Sequence, residues 1–462
     1  MQSSQKDIAY LLADYVNNTN YESLPEDAIE VTKKDILDTL GTALAGSTAE
    51  GVQMAVDLAL EWAGKKESTI IGFGNKVPSM MAAFVNGTMS HARDYDDIHN
   101  KGIVHAGVTV IPASLAMAER IGSVSGKDFI TAVALGIDIT CRLGMACGLS
   151  PGTSGWHNTS IFGIFGSTAA CGKLLELDKE KMINAFGIAY SQCSGTVQCI
   201  EDKALVKRMQ AGFPAKGAVI SALLAEKGFT GSRDTFEGKR GLFKMYYKKY
   251  DRDAVTSELG KTFEITNMSF KPYPACRLNH AGIDAALLLA KKYDIKPEEI
   301  ESIVIHHGEN SFLCGVPKEG RLKPKTVVDA QFSLPYTVSR ALLQRKVSLQ
   351  DFTPQTVGDE SVYQLAQKVK LHFIPELTSQ KSCEPTIVDI HLTGNRMYSE
   401  RVDTPTGDPQ NPMGWPILKA KFKDCASFAV KPLSEARTEE LTQLLTELEK
   451  AKDLNNIVKL LS

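Results

Sequence analysis

Three stretches of this chain are apolar on almost every helical face and are built largely from small residues. They are Asp128-Phe-Ile-Thr-Ala-Val-Ala-Leu-Gly-Ile-Asp-Ile-Thr-Cys-Arg-Leu143, Ser167-Thr-Ala-Ala-Cys-Gly-Lys-Leu-Leu175 and Lys216-Gly-Ala-Val-Ile-Ser-Ala-Leu-Leu-Ala225. A helix without a polar face belongs in an interior, and small residues on several faces let helix axes approach closely. Such stretches therefore require a large helical bundle. With 462 residues, 43% of them hydrophobic, the chain can build such a core and also exceeds the size at which one core keeps growing, so two domains are expected.

From about Lys6 to about Lys261 the apolar residues recur mostly at helical spacing. Glycine-bearing breaks at Gly228-Phe-Thr-Gly231 and Gly238-Lys-Arg-Gly241 close this region. The texture then changes. Glu301 to His307, Val369 to Phe373 and Thr386 to Leu392 alternate polar and apolar residues as half-buried strands do, and Gly394-Asn395 marks a hairpin turn before Arg396 to Val402. Helical stretches at His280 to Lys292 and Ser333 to Leu343 lie among them, and the tail returns to helix with Leu441, Leu444, Leu445 and Leu448 on one face. The expected architecture is mainly α with an α+β second domain. An all-helical domain spans residues 1–265 and is completed by C-terminal helices in 405–462, while 266–404 forms the α+β domain. No internal repeat or low-complexity segment is evident.

Composition narrows the function. Fifty-two Lys and Arg against fifty-four Asp and Glu leave a net charge of -2, which gives no global attraction to nucleic acid or to anionic membrane. Neither is expected as a partner. The N-terminus lacks a basic segment followed by an unbroken apolar run, so a cytoplasmic location is expected. Apolar windows such as Ile130 to Ile139 are interrupted by Gly136 and Asp138 and are short for a membrane span. Nine cysteines without a C-x-x-C pair fit reduced, mostly buried thiols, so neither a structural zinc nor a Cys-held iron-sulfur cluster is expected.

The densest chemistry lies at His91-Ala-Arg-Asp94-Tyr-Asp96-Asp97-Ile98-His99, followed by Val104-His105-Ala106-Gly107. Carboxylates and imidazoles are costly to bury unless paired, so their mixture indicates a metal site, an acid/base site or a structural polar network. A solvated acidic turn with incidental histidines is the plain alternative. Elsewhere, His157 in Gly155-Trp-His-Asn-Thr-Ser160 precedes a long small-residue helix, where N–H groups and the helix dipole favour an anion; its ordinary role is a hydrogen bond to local backbone. Lys207-Arg208 opens another helical run and is, by itself, a surface basic pair. In Lys271-Pro-Tyr-Pro-Ala-Cys-Arg277-Leu-Asn-His280, two prolines stiffen the segment that carries Lys271, Arg277 and His280 at the domain junction. Tyr336 in Gln331-Phe-Ser-Leu-Pro-Tyr, taken alone, is a core aromatic with its hydroxyl tied off.

These motifs occur in a known order. With Asp38-Thr-Leu-Gly-Thr-Ala-Leu-Ala-Gly46 near the start and Pro405-Thr-Gly-Asp-Pro-Gln-Asn-Pro412 near the end, the chain resembles the MmgE/PrpD family over nearly its whole length. That family includes 2-methylcitrate dehydratase, cis-aconitate decarboxylase and iminodisuccinate epimerase. The resemblance implies a large all-helical domain, a smaller α+β lid, a homodimer, and an active site that uses neither cofactor nor metal, set between the domains. By position, Asp94, His105, His157, Lys207, Lys271, His280 and Tyr336 match residues lining that site. Two departures stand out: the signature commonly reads Asp-Asp-Thr and His-Pro, whereas Ile98 follows Asp97 and Ala106 follows His105 here. Loss of a hydroxyl at position 98 removes a hydrogen bond to a substrate carboxylate, which bears on the substrate more than on the fold.

Removing a proton from carbon next to a carboxylate requires that the existing charge be neutralised and that a base stand within hydrogen-bond reach. Lys207, Lys271 and Arg277 suit the first task, with His280 among the substrate-binding residues. A neutral His105 suits the second, with Asp94 as its orienting partner. The acid is expected to be His157, with Tyr336 or a lysine as alternatives. The resulting expectation is a lyase, a dehydratase or decarboxylase, acting on a small di- or tricarboxylate. Three other readings stay open: an epimerase of a succinate-like acid, a metallohydrolase using Asp94, Asp96, Asp97, His99 and His105, and a polycarboxylate-binding protein without catalysis.

Overall fold

Each of the three small-residue stretches falls on a helix. The computed structural model describes residues 6–62, 64–148, 154–202, 204–316, 318–379 and 383–462. Its helices of ten or more residues are α1 Ile8–Asn18, α2 Glu26–Gly46, α3 Val52–Glu61, α4 Ser79–His91, α5 Gly107–Ile121, α6 Gly126–Cys147, α7 Asn158–Leu174, α8 Lys179–Tyr190, α9 Val206–Glu226, α10 His280–Lys292, α11 Leu334–Gln344, α12 Trp415–Ser427 and α13 Glu435–Thr446. Two units result: Met1–Met268 with Gly414–Ser462, and Ser269–Met413.

The first unit is a helical bundle held by glycine-mediated crossings. A Cβ on Gly166 of α7 would stand 2.0 Å from Thr140 Oγ1 and 2.1 Å from the Gly136 carbonyl of α6, so these helices meet backbone to backbone. A Cβ on Gly212 of α9 would meet the Phe84 carbonyl of α4 at 2.3 Å, and one on Gly87 would lie 3.0 Å from Gly212 Cα. That second crossing positions the site. Because α4 and α9 run in opposite directions through Gly87 and Gly212, the C-terminal end of α4 at His91 lies beside the start of α9 at Lys207. Helix α6 is longer than its apolar window indicated, and by length and composition it passes for a membrane span, but 94% of its most apolar window is buried inside the unit. The C-terminal helices pack on α2: Phe422 and Cys425 approach Gly41, and Lys421 Nζ reaches Asp38 Oδ1 at 2.6 Å.

The second unit is α+β. Its strands β1 Ile300–His307, β2 Val369–Phe373, β3 Thr386–Leu392 and β4 Arg396–Val402 form one mixed sheet in the order β2-β1-β3-β4. The β1/β2 pair is parallel and the other two pairs are antiparallel. Gly394 and Asn395 both adopt positive φ, 76° and 59°, in the β3–β4 turn, a conformation that Gly and Asn tolerate. Ile303, Ile305, Val388 and Ile390 point to the core with Ile283 and Leu289 of α10 and Val338 of α11. Alternation places His306, Asp389 and His391 on the opposite, partly exposed face. All nine cysteines are free, and only Cys276 among them is not buried.

Candidate active site

The loop that follows α4 turns sharply. Asp94 has φ 52°, the left-handed region that Asp tolerates better than most residues, and this reversal carries Asp96 back to the end of the helix it has just left. His91 Nδ1 then lies 2.8 Å from Asp96 Oδ2, and His105 Nδ1 lies 2.9 Å from the same oxygen. His105 is fixed from three sides, since its Nδ1 is also 2.6 Å from the Asp97 carbonyl and its backbone N–H donates to Thr159 Oγ1 at 3.0 Å. The Lys207 ammonium stands 3.1 Å from His91 Nε2. His157 occupies the N-cap position of α7, with its ring centroid 5.9 Å from that of His91.

This network assigns the tautomers. An ammonium offers only donors, so His91 Nε2 accepts from Lys207 and its Nδ1–H donates to Asp96. Both neighbours of His105 Nδ1 are acceptors, so that nitrogen carries the proton and Nε2 holds the lone pair. His91 and Asp96 are fully buried, whereas 15% of the His105 side chain is exposed and Lys207 is half-buried. Access to the network therefore runs through His105 and Lys207.

Burial, reinforced by the Lys207 charge, lowers His91 to about 4, so it is neutral at physiological pH. Burial pushes the Asp96 carboxyl up, but the two imidazoles together outweigh it and hold Asp96 well below the usual carboxylate range. Its neighbour Asp97 goes the other way: burial and the Asp96 charge raise it to about 7. Its Oδ2 accepts from the Gly107 N–H at 2.9 Å. Burial, then the charges of His91, Lys207 and His105, hold His157 well below the ordinary imidazole value. The neutral ring can donate a hydrogen bond through its N–H. Its Nδ1 is buried with no hydrogen-bond partner among the described residues.

The structure thus brings His105, His157 and Lys207 together. It also adds His91 and Asp96, which the sequence reading held inside the cluster without a catalytic role. The carboxylate seen to meet His105 is Asp96, where the sequence reading placed Asp94, whose left-handed turn lies two residues before it. His99 turns away from this group: its Nε2 pairs with Glu264 at 3.3 Å, and its Nδ1 accepts from the Gly102 N–H. Of the metal-ligand set expected as an alternative, Asp96 and His105 are the members that fall, among the described residues, in a group of close donor atoms. Among the described residues, His91, Asp96 and His105 are the group of three such side chains whose donor atoms all lie within 4.8 Å of one another. Here both Nδ1–H groups already use Asp96 Oδ2.

The other expected residues belong to the second unit. Arg277 is buried; its Nη1 donates to His280 Nδ1 at 3.2 Å and to the Thr406 carbonyl at 3.1 Å, while Nη2 stands 3.8 Å from Asp408. His280 Nε2 in turn lies 3.2 Å from the Ala275 carbonyl, so this ring is a neutral structural link. Lys271 is 1% exposed. The Tyr336 hydroxyl donates to the Asp351 carbonyl at 2.5 Å and accepts from Arg340 Nε at 3.1 Å inside the core. That is the core role its local sequence gave, and the geometry offers no support for Tyr336 as an acid.

Residues 11–254 match the MmgE/PrpD N-terminal domain, and residues 273–447 match the MmgE/PrpD C-terminal domain. The chain belongs to the MmgE/PrpD family. Among its relatives is a cis-aconitate decarboxylase of Aspergillus terreus, 26% identical over 98% of this chain and 95% of the relative. The cis-aconitate decarboxylases of Homo sapiens and Mus musculus are each 26% identical over 99% of this chain, covering 95% and 93% of those proteins. As an MmgE/PrpD protein, the chain joins His91, Asp96 and His105 of its signature segment in one network.

Proposed function

We propose that this MmgE/PrpD chain is a lyase that removes carbon dioxide or water from a small di- or tricarboxylate, with His105 moving the proton. The observation that carries this reading is the Asp96–His105 pair. A buried carboxylate holds Nδ1–H, fixes Nε2 as the base and stabilises the imidazolium once the proton is taken. In a dehydration, the C–H proton passes to His105 while the C–O bond breaks, and the same proton can then leave with the hydroxyl as water. In a decarboxylation, the C–C bond to the carboxylate breaks, its electron pair stays on carbon, and His105 Nε2, having taken a proton from solvent, delivers it to the carbanion. Both reactions are redox-neutral, so neither needs an electron acceptor.

Lys207 supplies positive charge toward a substrate carboxylate, and neutral His157 supplies an N–H for a developing oxyanion. The decarboxylase names of relatives covering nearly the whole chain favour the decarboxylation branch. Ile98 favours an acid whose carboxylates do not need a hydroxyl at that position.

Cis-aconitate and a panel of hydroxy and unsaturated polycarboxylates, followed by proton NMR in deuterated water, test the proposal. Carbon dioxide release with deuterium at the vacated carbon, or loss of water, is the expected result. Exchange with inversion at one carbon and no loss of mass would identify an epimerase and overturn the lyase reading. So would tight binding without turnover of any acid in the panel.

A further inference from the structure

The outward face of the sheet in the second unit carries a second group of imidazoles that the proposed reaction does not use. His306 on β1 and His372 on the edge strand β2 are directly paired in the parallel register. Their Nδ1 atoms lie 2.8 Å apart, with ring centroids at 5.0 Å. On the other side of His306, its Nε2 is 2.8 Å from Asp389 Oδ2 of β3. His372 is exposed, while His306 and Asp389 keep 18% and 20% of their side chains open, so solvent reaches the pair.

The hydrogen bonds fix the chemistry. Asp389 accepts from His306 Nε2–H, which leaves His306 Nδ1 as a lone pair. His372 Nδ1–H then donates to it. If His372 shifts its proton to Nε2, both Nδ1 atoms carry lone pairs without any net loss of a proton, and rotation of the exposed His372 ring aims both at one ion beside the pair. We propose that His306 and His372 form a surface site for a divalent first-row transition ion, with Asp389 as the carboxylate that orients and polarises the first ligand. Histidine ligands are commonly held in this way through their other ring nitrogen.

Imidazole nitrogens suit copper(II) and nickel(II), and copper(II) stands highest in the affinity order of the divalent first-row ions. Water completes the shell on the exposed side. Because β2 is an edge strand tied to the sheet on one side only, an ion bridging β1 and β2 also pins that edge.

The test uses the tag-free full chain, stripped of metal, titrated with copper(II) alone and with nickel(II) alone. One equivalent of copper(II) should give an electron paramagnetic resonance spectrum with coupling to two nitrogens. In His372→Ala or His306→Ala that signal and the calorimetric nickel(II) equivalent should disappear, with circular dichroism unchanged. Asp389→Asn should retain the site and weaken it by about 10- to 100-fold. His105→Asn, which alters the histidine cluster of the first unit, should leave the signal intact. The same spectrum and stoichiometry in wild type, His306→Ala and His372→Ala would overturn the proposal. Loss of the ion in His105→Asn alone would also overturn it, by placing the metal in the first unit.

Discussion

One oxygen of Asp96 holds two imidazoles, and that sharing sets what each ring can do. His105 keeps its Nε2 lone pair because Asp96 and the Asp97 carbonyl both require a proton on Nδ1. An amide at position 96 no longer stabilises an imidazolium and permits the other tautomer. Asp96→Asn is therefore expected to lower turnover on the substrate found by the panel by about 10³- to 10⁴-fold, the size of the loss when a triad aspartate is amidated, with the helical circular dichroism retained. His91 has a separate consequence for stability. Its imidazole falls from an ordinary 6.5 to about 4 in the folded state, so between those values the unfolded chain binds the extra proton. Stability contributed by neutral His91 is thus present above pH 6.5 and lost as pH falls toward 4, with a slope reaching about 1.4 kcal/mol per pH unit. Urea unfolding of wild type and His91→Gln from pH 7 to pH 4.5 should show a shallower decline in the variant. An unchanged slope would remove His91 as its source.

At the scale of elements, the site depends on helices close enough for backbone to touch backbone. Lys207 stands by His91 because α4 and α9 cross at Gly87 and Gly212, where a Cβ on Gly212 would meet a carbonyl at 2.3 Å and Thr88 Oγ1 at 2.4 Å. Gly212→Ala should force the helices apart, lowering the unfolding free energy by about 1–3 kcal/mol. Because Lys207 sits five residues upstream on the same helix, turnover should fall further than the unfolded fraction explains. Normal kinetics in the folded population would show that the crossing serves stability alone. The glycines and the long small-residue runs were visible in the sequence and pointed to close helix packing. Which glycine meets which helix was not, since spacing along one helix carries no information about its partner.

At the scale of the molecule, the C-terminal helices return to the first unit and neutralise charge beneath the signature loop. Asp35, Asp38 and Asp97 are all buried, and burial, then Asp97 and Asp38, raise Asp35 well above its ordinary value. Lys421 of α12 reaches Asp38 at 2.6 Å and donates to the Tyr95 carbonyl at 2.7 Å, bringing the compensating cation from the far end of the chain. Lys421→Met removes the buried cation that pairs with Asp38 and should destabilise the chain by about 3–5 kcal/mol in urea unfolding. Truncation before Gly414 also uncovers the face of α2 against which Phe422 and Cys425 pack, so the shortened chain is expected to aggregate or to lose its cooperative unfolding transition, as read by calorimetry. A truncated chain with the wild-type transition would contradict this assignment.

Local pattern determined much of this protein. Period and small-residue content gave the helices, alternation and the Gly394-Asn395 turn gave the hairpin, and motif order gave the family. Tertiary structure alone decided the partners. His91 and Lys207 lie 116 positions apart, and only the α4/α9 crossing turns an ordinary surface basic pair into the cation of a buried network. Likewise, a left-handed turn at Asp94 brings Asp96 to His91 and His105, and core packing committed the Tyr336 hydroxyl to a backbone carbonyl. Residue types and their periodicity are written along one chain, but a hydrogen bond at 2.8 Å depends on where two chain segments meet in space.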